Sequence, residues 1–261
     1  MDRTTQQRES ELVESSWLHF CLCSRVHGLH PHRPGTYVAI DCEMVGVGIK
    51  GSESILARVS IVNWHGFTLL DRFVKPKEQV TDYRTFVSGI RAKDLRGAPS
   101  FDVVQKEVAE MIKGRVLVGH VIQNDLKALL LDHPRRMIRD TATFKPLRDL
   151  AQTKFPGLRK LATIVLGIDI QKKGEEHSSV EDARTTMAIF RTQKEAWEKS
   201  LREEHGLAER RLARKAAKMG KDKAPNGDPT AANTASSPTT SQPAKRKTNQ
   251  ATPNWWMQGD W

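Results

Sequence analysis

The chain has 261 residues, and its 42 lysines and arginines outnumber 31 aspartates and glutamates to give a net charge of +11. This length allows one sizeable core with extensions, and the basic surplus favours a polyanionic partner such as nucleic acid. Three cysteines exclude a disulfide-stabilised scaffold and fit a reducing compartment. No apolar run approaches the roughly 20 residues of a membrane span, and the polar residues 1–16 do not resemble a signal peptide, so no membrane partner is expected.

The first 33 residues show no hydrophobic period and end in a run rich in His and Pro. We therefore expect residues 1–33 to be a poorly ordered N-terminal arm. The arm carries Cys21, Cys23 and several histidines, which are zinc-ligand types, but their spacing matches no common zinc module. The sequence does not predict a zinc site here.

Residues 34–200 show the patterns of a folded domain. Three β-rich runs at 37–41, 57–62 and 67–73 predict an antiparallel meander. Helical periods then alternate with short strands, which together predict an α/β fold with a mixed five-stranded sheet flanked by helices. The predicted helices span 101–113, 124–131, 158–166 (stopped by Gly167) and 180–197, and the predicted strands span 116–119 and 137–141.

Residues 201–261 form a predicted basic, low-complexity tail with 11 basic and 6 acidic side chains. Residues 209–223 are expected to extend the last helix, and 224–250 to be disordered. The basic run at 243–247 is typical of a nuclear import signal or an RNA tether, although a merely solvated tail has the same composition. Exposed tryptophan is unusual in a polar tail, which suggests a protein-docking motif at Trp255, Trp256 and Trp261.

The most informative stretch is an apolar β-type run that leads into Asp41 and Glu43. Side chains on a strand alternate between faces, so the two acids share one face and Cys42 points the other way, where we expect it to pack in the core. Two carboxylates on one face of a buried strand repel each other and lose hydration. Divalent cations can neutralise such a pair, so the pattern predicts half of a metal site.

Two later segments supply candidates for the other half of this site. Asp125 opens a predicted helix, and His177 and Asp182 flank the start of the last one with the spacing His-x4-Asp. This spacing lets a loop imidazole reach the site while the helical carboxylate faces inward. The plainer alternative is a set of unrelated helix caps and salt bridges, and the order and context of all five residues argue against it.

The ordered pattern Asp41-x-Glu43, Asp125, His177-x4-Asp182 resembles the DEDDh group of 3′–5′ exonucleases, and more closely the RNA exonuclease 4 family. The likeness covers about residues 36–195. It implies a ribonuclease-H-like fold, with the four acids as ligands of two Mg²⁺ or Mn²⁺ ions and His177 as the general base. The supporting runs are 39–48, 56–63, 81–84, 87–90, 118–120, 124–127 and 177–184.

These residue types suit phosphodiester hydrolysis, in which negative charge builds up in the transition state. Two divalent ions about 3.5–4 Å apart can hold the attacking water and the leaving 3′ oxygen. Hard oxygen ligands suit Mg²⁺ and Mn²⁺, so the sulfur of Cys42 is not expected to be a ligand. A histidine with a pKa near neutrality can accept the proton of the water. We expect Asp41 to bridge both ions.

Two further residues are matched to substrate contacts in relatives that degrade single-stranded RNA. Met44 can pack on the terminal sugar or base, and Arg84 can donate to the 2′-hydroxyl that separates RNA from DNA. Core filling is the alternative for Met44. A surface ion pair, with Asp82 or Asp71, is the alternative for Arg84.

Two polar residues close to the expected site are assigned structural roles. His120 follows a strand and is expected to be a structural histidine rather than the base. Asp140 also follows a short strand, and we expect it to bond backbone groups near the site rather than to hold a metal.

The favoured function is that of a metal-dependent 3′–5′ exoribonuclease, which the resemblance places in ribosomal RNA precursor processing of the ITS1-trimming type, in the nucleus and its nucleolus. Its expected partner is RNA, in particular pre-rRNA. One alternative is a 3′–5′ exonuclease acting on single-stranded DNA or on nucleic acid in general. An alternative of another class is a nucleic-acid-binding scaffold with a vestigial site.

Overall fold

A mixed six-stranded sheet forms the centre of the computed structural model, which describes residues 33–172 and 176–221. The strands are β1 (Tyr37–Val47), β2 (Glu53–Asn63), β3 (Thr68–Phe73), β4 (Val80–Asp82), β5 (Val116–Gly119) and β6 (Ile138–Asp140). The strand order is β3-β2-β1-β5-β6, and β4 pairs with β1. Strands β2 and β4 run antiparallel to β1, whereas β5 runs parallel to it and β6 parallel to β5.

The predicted meander and the two later strands are confirmed, but the sheet gains a strand. The sixth strand, β4, has three residues and pairs only with Gly46 and Val47, so it is too short for a period-2 pattern. The first strand also continues past the predicted end at Asp41. Asp and Gly are depleted in strands, and their presence in this run hides its continuation. The acids therefore lie within β1 rather than at its end.

Helices cover both faces of the sheet. The helices predicted at 101–113, 124–131, 158–166 and 180–197 are confirmed, although the second of them ends sooner. The predicted extension of the last helix is also confirmed, since this helix continues to Lys221. Two short helices, at Thr85–Ser88 and Lys145–Ala151, were not predicted. The helices are α1 (Thr85–Ser88), α2 (Phe101–Ile112), α3 (Gln123–Ala128), α4 (Lys145–Ala151), α5 (Leu158–Leu161, continued by a wider turn at Ala162–Leu166) and α6 (Ser179–Lys221).

The alternation of side chains along β1 divides the core between the two faces of the sheet. Tyr37 and Ala39 pack with Phe190 and Trp197 of α6, and Trp197 stacks on Phe144 with ring centroids 3.9 Å apart. The opposite set, which includes Cys42, packs against α2 and α3. Cys42 therefore packs in the core, as predicted. The two layers fix α6 on the face of β1 that carries the acids.

The chain divides into two compact units between Ala208 and Glu209. The first unit contains the whole sheet, and of the second the structure describes the part of α6 from Glu209 to Lys221. In the described ranges, no helix combines the length and the apolar character needed to cross a membrane. The predictions for residues 1–32, for the run at 243–247 and for the terminal tryptophans lie outside the described residues.

Candidate active site

Three carboxylates come together where β1 faces the start of α6. Asp41, Glu43 and Asp182 each offer an oxygen within 4.8 Å of the others. Glu43 and Asp182 are buried, with 6% and 4% of their surface exposed. The prediction that Asp41 and Glu43 share a face, and that the first turn of the last helix brings a third acid to them, is therefore realised in the geometry.

Asp125 approaches the same strand from its edge. Strand β1 pairs with β5 only up to Ala39 and with β4 only from Gly46, which leaves the intervening edge to α3. The Asp125 carboxylate accepts hydrogen bonds from the thiol and the backbone N–H of Cys42. Asp125 is outside the group of three, but after burial it is the largest cause of the raised pKa of Asp41. All four acids thus belong to one electrostatic cluster.

His177 lies beside this cluster, just before α6. Its Nδ1 is 3.8 Å from Oδ2 of Asp182, and about a third of its side chain is exposed. Its backbone N–H donates to the carbonyl of Val87, 2.9 Å away. The neighbouring Glu176 forms a two-point ion pair with Arg91, with Nη1 of Arg91 2.9 Å from Oε2 of Glu176. The loop that carries His177 is therefore fastened to the segment around α1.

Hydroxyl groups join the start of α6 to the strand next to β1. Oγ of Ser60 and Oγ of Ser179 are 2.6 Å apart, and Ser60 also lies 3.0 Å from Oδ1 of Asp71. A carboxylate only accepts, so Ser60 donates to Asp71 and Ser179 donates to Ser60. Arg58 donates to both oxygens of Asp71. This chain sets the position of α6, and with it the position of Asp182.

Burial raises the pKa of every acid in the cluster. Asp41 has a pKa well above its usual range, first through burial and then through the charge of Asp125. Burial and the charge of Asp182 raise the pKa of Glu43 to about 8, although Arg58 lowers it. Burial also raises the pKa of Asp125 to about 7, although hydrogen bonds from Cys42 lower it. In the same way burial raises the pKa of Asp182 to about 6, although the hydrogen bond from Gln171 lowers it. Deprotonation of these acids therefore costs more free energy in the folded protein than in the unfolded chain.

The donor atoms of the cluster fit divalent cations. Oε1 of Glu43 and Oδ1 of Asp182 are buried and have no hydrogen-bond partner among the residues that the structure describes. Buried carboxylate oxygens without partners are costly, and a cation removes that cost. Hard oxygen donors from several acids are the ligands that Mg²⁺ and Mn²⁺ prefer.

The electrostatics of His177 suit a proton acceptor. Burial lowers its pKa, while the charge of Glu181 opposes that effect. The imidazole is therefore neutral at neutral pH and can take up a proton.

The two predicted substrate contacts lie in different settings. Met44 is half-buried and packs partly against the core layer below α2 and α3. Arg84 donates to Oγ of Ser54 at 2.8 Å and to the carbonyl of Gly51 at 2.9 Å, and it lies 3.9 Å from Asp82. These contacts resemble the alternatives of core filling and a surface ion pair. The substrate roles of both residues stay predictions.

His120 and Asp140 have the structural roles expected of them. Nδ1 of His120 lies 2.9 Å from the Thr141 hydroxyl. The Asp140 carboxylate accepts from the backbone N–H groups of Val121, Ile122 and Ala142 at 2.9–3.1 Å. Asp140 thereby fixes the loop that leads from β5 into the helix of Asp125.

Several residues that support the site were not found from the sequence. Gln171 donates to Oδ2 of Asp182 at 2.8 Å, and Cys42 supports Asp125 in addition to packing in the core. Ser60, Ser179, Arg91 and Glu176 fix the elements that carry the acids and His177. The only signal available for the two serines was their small polar character within apolar or helical runs, which does not identify partners 119 residues apart.

Known proteins resemble this chain over the region that contains the site. The Exonuclease family model (RNase_T) matches residues 38–190. An RNA exonuclease 4 of Mycosarcoma maydis is 70% identical over 185 residues, which are 71% of this chain and 49% of that protein. The human RNA exonuclease 4 is 51% identical over 170 residues, 65% of this chain and 40% of that protein. The chain thus covers less than half of either relative.

Solved structures with the same fold support the architecture. The Pan2 catalytic unit of Neurospora crassa, a protease and nuclease domain, matches 71% of this chain and 31% of its own with a TM-score of 0.55 and 26% identity. A Pan2 RNA exonuclease module of Saccharomyces cerevisiae in complex with AAUUAA RNA matches 70% of this chain and 34% of its own, with a TM-score of 0.54 and 30% identity. The ribonuclease-H-like sheet predicted from the sequence is confirmed.

Proposed function

The chain belongs to the exonuclease family and, within it, to the RNA exonuclease 4 family of DEDDh exonucleases, and from this premise we propose that it is a metal-dependent 3′–5′ exoribonuclease. One observation carries the proposal. Four acids with raised pKa values lie together, three of them buried; among the described residues two of their carboxylate oxygens have no hydrogen-bond partner, and a neutral histidine lies beside them. Such a cluster is stable when it binds cations, and the histidine is placed to take a proton.

Asp41, Glu43, Asp125 and Asp182 would hold two Mg²⁺ or Mn²⁺ ions. Bound ions of this kind lower the pKa of a coordinated water and offset the charge that develops on the leaving 3′ oxygen. The protein keeps the four acids in place through β1, α3 and the Ser60–Ser179 bond. Because these supports do not depend on a bound ion, the acids do not have to be reorganised during the reaction.

His177 would act as the general base. It is close to Asp182 and partly exposed, so that a water between the histidine and the scissile phosphate can pass its proton to the imidazole. Two contacts hold the loop against α1: the hydrogen bond from the backbone N–H of His177 to the carbonyl of Val87, and the ion pair between Arg91 and Glu176. The charge of Asp182 then stabilises the imidazolium that forms.

Arg84 and Met44 would distinguish RNA from DNA at the 3′ end. Two of the five N–H donors of Arg84 bond to Ser54 and Gly51, which leaves donors for a 2′-hydroxyl without breaking these contacts. The half-buried Met44 retains exposed surface for a sugar or base.

The natural substrate would be a ribosomal RNA precursor, processed in the nucleus and its nucleolus, with protein docking through the C-terminal tryptophans. The support for this part is the RNA exonuclease 4 relatives and the basic composition. Sequencing the 3′ ends of precursor RNAs in cells with the wild-type chain or the Asp41→Ala variant is the direct measurement. Extended ends in the variant are expected, and unchanged ends would contradict this substrate.

The activity itself is tested with matched RNA and DNA oligonucleotides labelled at the 5′ end, in Mg²⁺, Mn²⁺ or EDTA. We expect a ladder of RNA products shortened one nucleotide at a time, only with metal, and no ladder with Asp41→Ala. A 3′-phosphate should slow the reaction, whereas an endonuclease would be indifferent to it. Equal loss of DNA would favour the general exonuclease, and binding without cleavage would favour the scaffold.

A further inference from the structure

A concentrated positive charge lies on the segment that includes α4 and the start of α5. Residues 145–160 carry five basic side chains and one acidic one, whereas residues 34–200 as a whole carry 27 basic and 21 acidic ones. Four of the five basic residues are exposed, and Arg148 is half-buried. This short segment therefore supplies most of the positive surplus of the folded domain.

Much of this charge is not neutralised by neighbouring acids. Lys145 pairs with Asp149 at 2.5 Å, and Arg159 pairs with Asp169 at 3.1 Å. Within the described residues, no carboxylate lies at ion-pair distance from Arg148, Lys154 or Lys160. These three cations are available to an anionic partner.

An aromatic side chain accompanies the charge. Phe155 is 79% exposed, and Nζ of Lys154 lies 5.3 Å from the centre of its ring. An open groove of about 530 Å³ runs beside it, lined by Lys145, Arg148, Asp149, Gln152, Thr153 and Lys154. Exposed aromatic rings among cations are typical of surfaces that bind single-stranded nucleic acid, because bases stack on the ring while cations contact the phosphates.

The same segment packs on the core and contacts the loop that leads to Asp125. Leu147, Ala151 and Leu161 are buried in the core on its inner side. The carbonyl of Pro156 accepts a hydrogen bond from His120, which follows β5 in the loop leading to Asp125. The segment therefore contacts the loop that leads from β5 to Asp125.

We propose that Lys145, Arg148, Lys154, Phe155 and Lys160, the α4–α5 surface, bind single-stranded RNA on the 5′ side of the nucleotide that is removed. The position along the substrate rests on the proposed function, whereas the binding of single-stranded RNA does not. The exposed ring among cations favours single-stranded nucleic acid, because bases can stack on the ring while the cations contact the phosphates. The surface would hold a long substrate while its 3′ end occupies the acid cluster.

Binding is measured by fluorescence anisotropy in EDTA, with a single-stranded RNA of about 20 nucleotides and the full chain. Removing two cations in Arg148→Gln/Lys154→Gln should weaken binding about tenfold and make the slope of log affinity against log salt shallower by about 1.4. Phe155→Ala should weaken binding about tenfold without changing that slope. Lys106→Gln/Lys113→Gln removes the same charge from around α2 and should leave affinity close to that of the wild-type chain.

Two results would overturn the proposal. One is equal RNA affinity for the α4–α5 variants and the Lys106→Gln/Lys113→Gln control. The other is displacement of RNA by polyglutamate as effectively as by unlabelled RNA, together with no effect of Phe155→Ala, which would indicate an acidic protein partner.

If a trinucleotide occupies only the acid cluster, its rate should be unchanged in the variants, while KM for the long RNA rises about tenfold. An equal rise in KM for the trinucleotide would contradict the placement of the surface on the 5′ side. If the wild-type chain degraded no RNA but the variants still lost binding in EDTA, the proposed function would fail and the binding surface would stand.

Discussion

The hydroxyl oxygens of Ser60 and Ser179 lie 2.6 Å apart in the protein interior and join two elements that are 119 residues apart in the chain. The Ser60 hydroxyl donates its hydrogen bond to Asp71, so it accepts the hydrogen bond from Ser179. The bond places the first residue of α6 against β2, and Asp182 follows within the next turn. The geometry of the acid cluster thus depends on two residues that carry no charge.

Ser60→Ala should destabilise the fold more than Ser179→Ala. The first leaves the Ser179 hydroxyl buried without an acceptor, which costs about 1–3 kcal/mol, and the second removes only a donor to Ser60, worth about 1 kcal/mol. Urea unfolding of both single variants and the double variant measures this order. The double variant should be less destabilised than the sum of the two, and strict additivity would contradict the bond.

Asp140→Asn should reduce the free energy of unfolding by about 2–3 kcal/mol although the change removes a single charge. The Asp140 carboxylate accepts hydrogen bonds from the backbone N–H groups of Val121, Ile122 and Ala142. The NH₂ group of Asn is a donor, so it would face at least one of these N–H groups and that hydrogen bond would be lost. Urea unfolding is the measurement, and Asp132→Asn on the surface is the control. A variant as stable as the wild-type chain would show that these three bonds do not fix the loop before Asp125.

Divalent ions should stabilise the protein more strongly as pH rises. The raised pKa values of Asp182, Asp125 and Glu43, about 6, 7 and 8, mean that the folded state binds protons more tightly than the unfolded chain. The metal-free fold should therefore lose stability as pH rises from about 4 to about 8, and ions should restore it as protons stop competing.

Thermal unfolding with Mn²⁺ or EDTA at several pH values measures this effect. The increase in Tm on adding Mn²⁺ should be small near pH 5.5 and large near pH 8.5, roughly on either side of these pKa values. In Asp41→Asn the Mn²⁺ effect should fall sharply, and the metal-free variant should be more stable than the wild-type chain at high pH. The same Mn²⁺ effect at both pH values would argue against ion binding by these acids.

His177→Ala should lower kcat by about 10²–10⁴-fold, the usual contribution of a general base, with little loss of metal binding. The ligand set keeps its four acids, so the Tm increase with Mn²⁺ should persist. His133→Gln is the matched control, because His133 contacts the carbonyl of Arg115 away from the acids. A His177→Ala variant with near-normal kcat would remove this residue from the mechanism.

Breaking the Arg91–Glu176 pair should lower kcat by about 10- to 100-fold with no measurable change in stability. The pair is exposed, so it adds little to the fold, but it fastens the loop that places His177. The swap Arg91→Glu/Glu176→Arg should recover much of the rate lost in Arg91→Ala. The exposed pair of Lys77 and Asp102 provides a control, since Lys77→Ala should not affect kcat.

The sequence predicted the elements that carry strong periodic patterns and the acids that share one strand. The helix over 101–113 and the facing of Asp41 and Glu43 follow from local spacing alone. Strand β4 is held by its pairing with β1, and helix α1 by its contact with the loop of His177. No local sequence pattern therefore predicts either element. The supports of the site were missed for the same reason. Ser60 with Ser179, and Arg91 with Glu176, are pairs that only the folded chain brings together.

Strand β1 pairs with β2 through Asp41 and Glu43, and β5, α3 and β4 lie in turn along its other edge, which gives the acids an unusual place in the dynamics of the fold. Active-site residues on loops can move apart when the loop opens locally, but a central strand exchanges its amide hydrogens only when much of the domain unfolds. The amides around Asp41 and Glu43 that bond to β2 are therefore expected to be among the slowest to exchange. The acids cannot relax their mutual repulsion by fraying, so the proposed site for water and RNA is anchored in one of the most persistent parts of the domain.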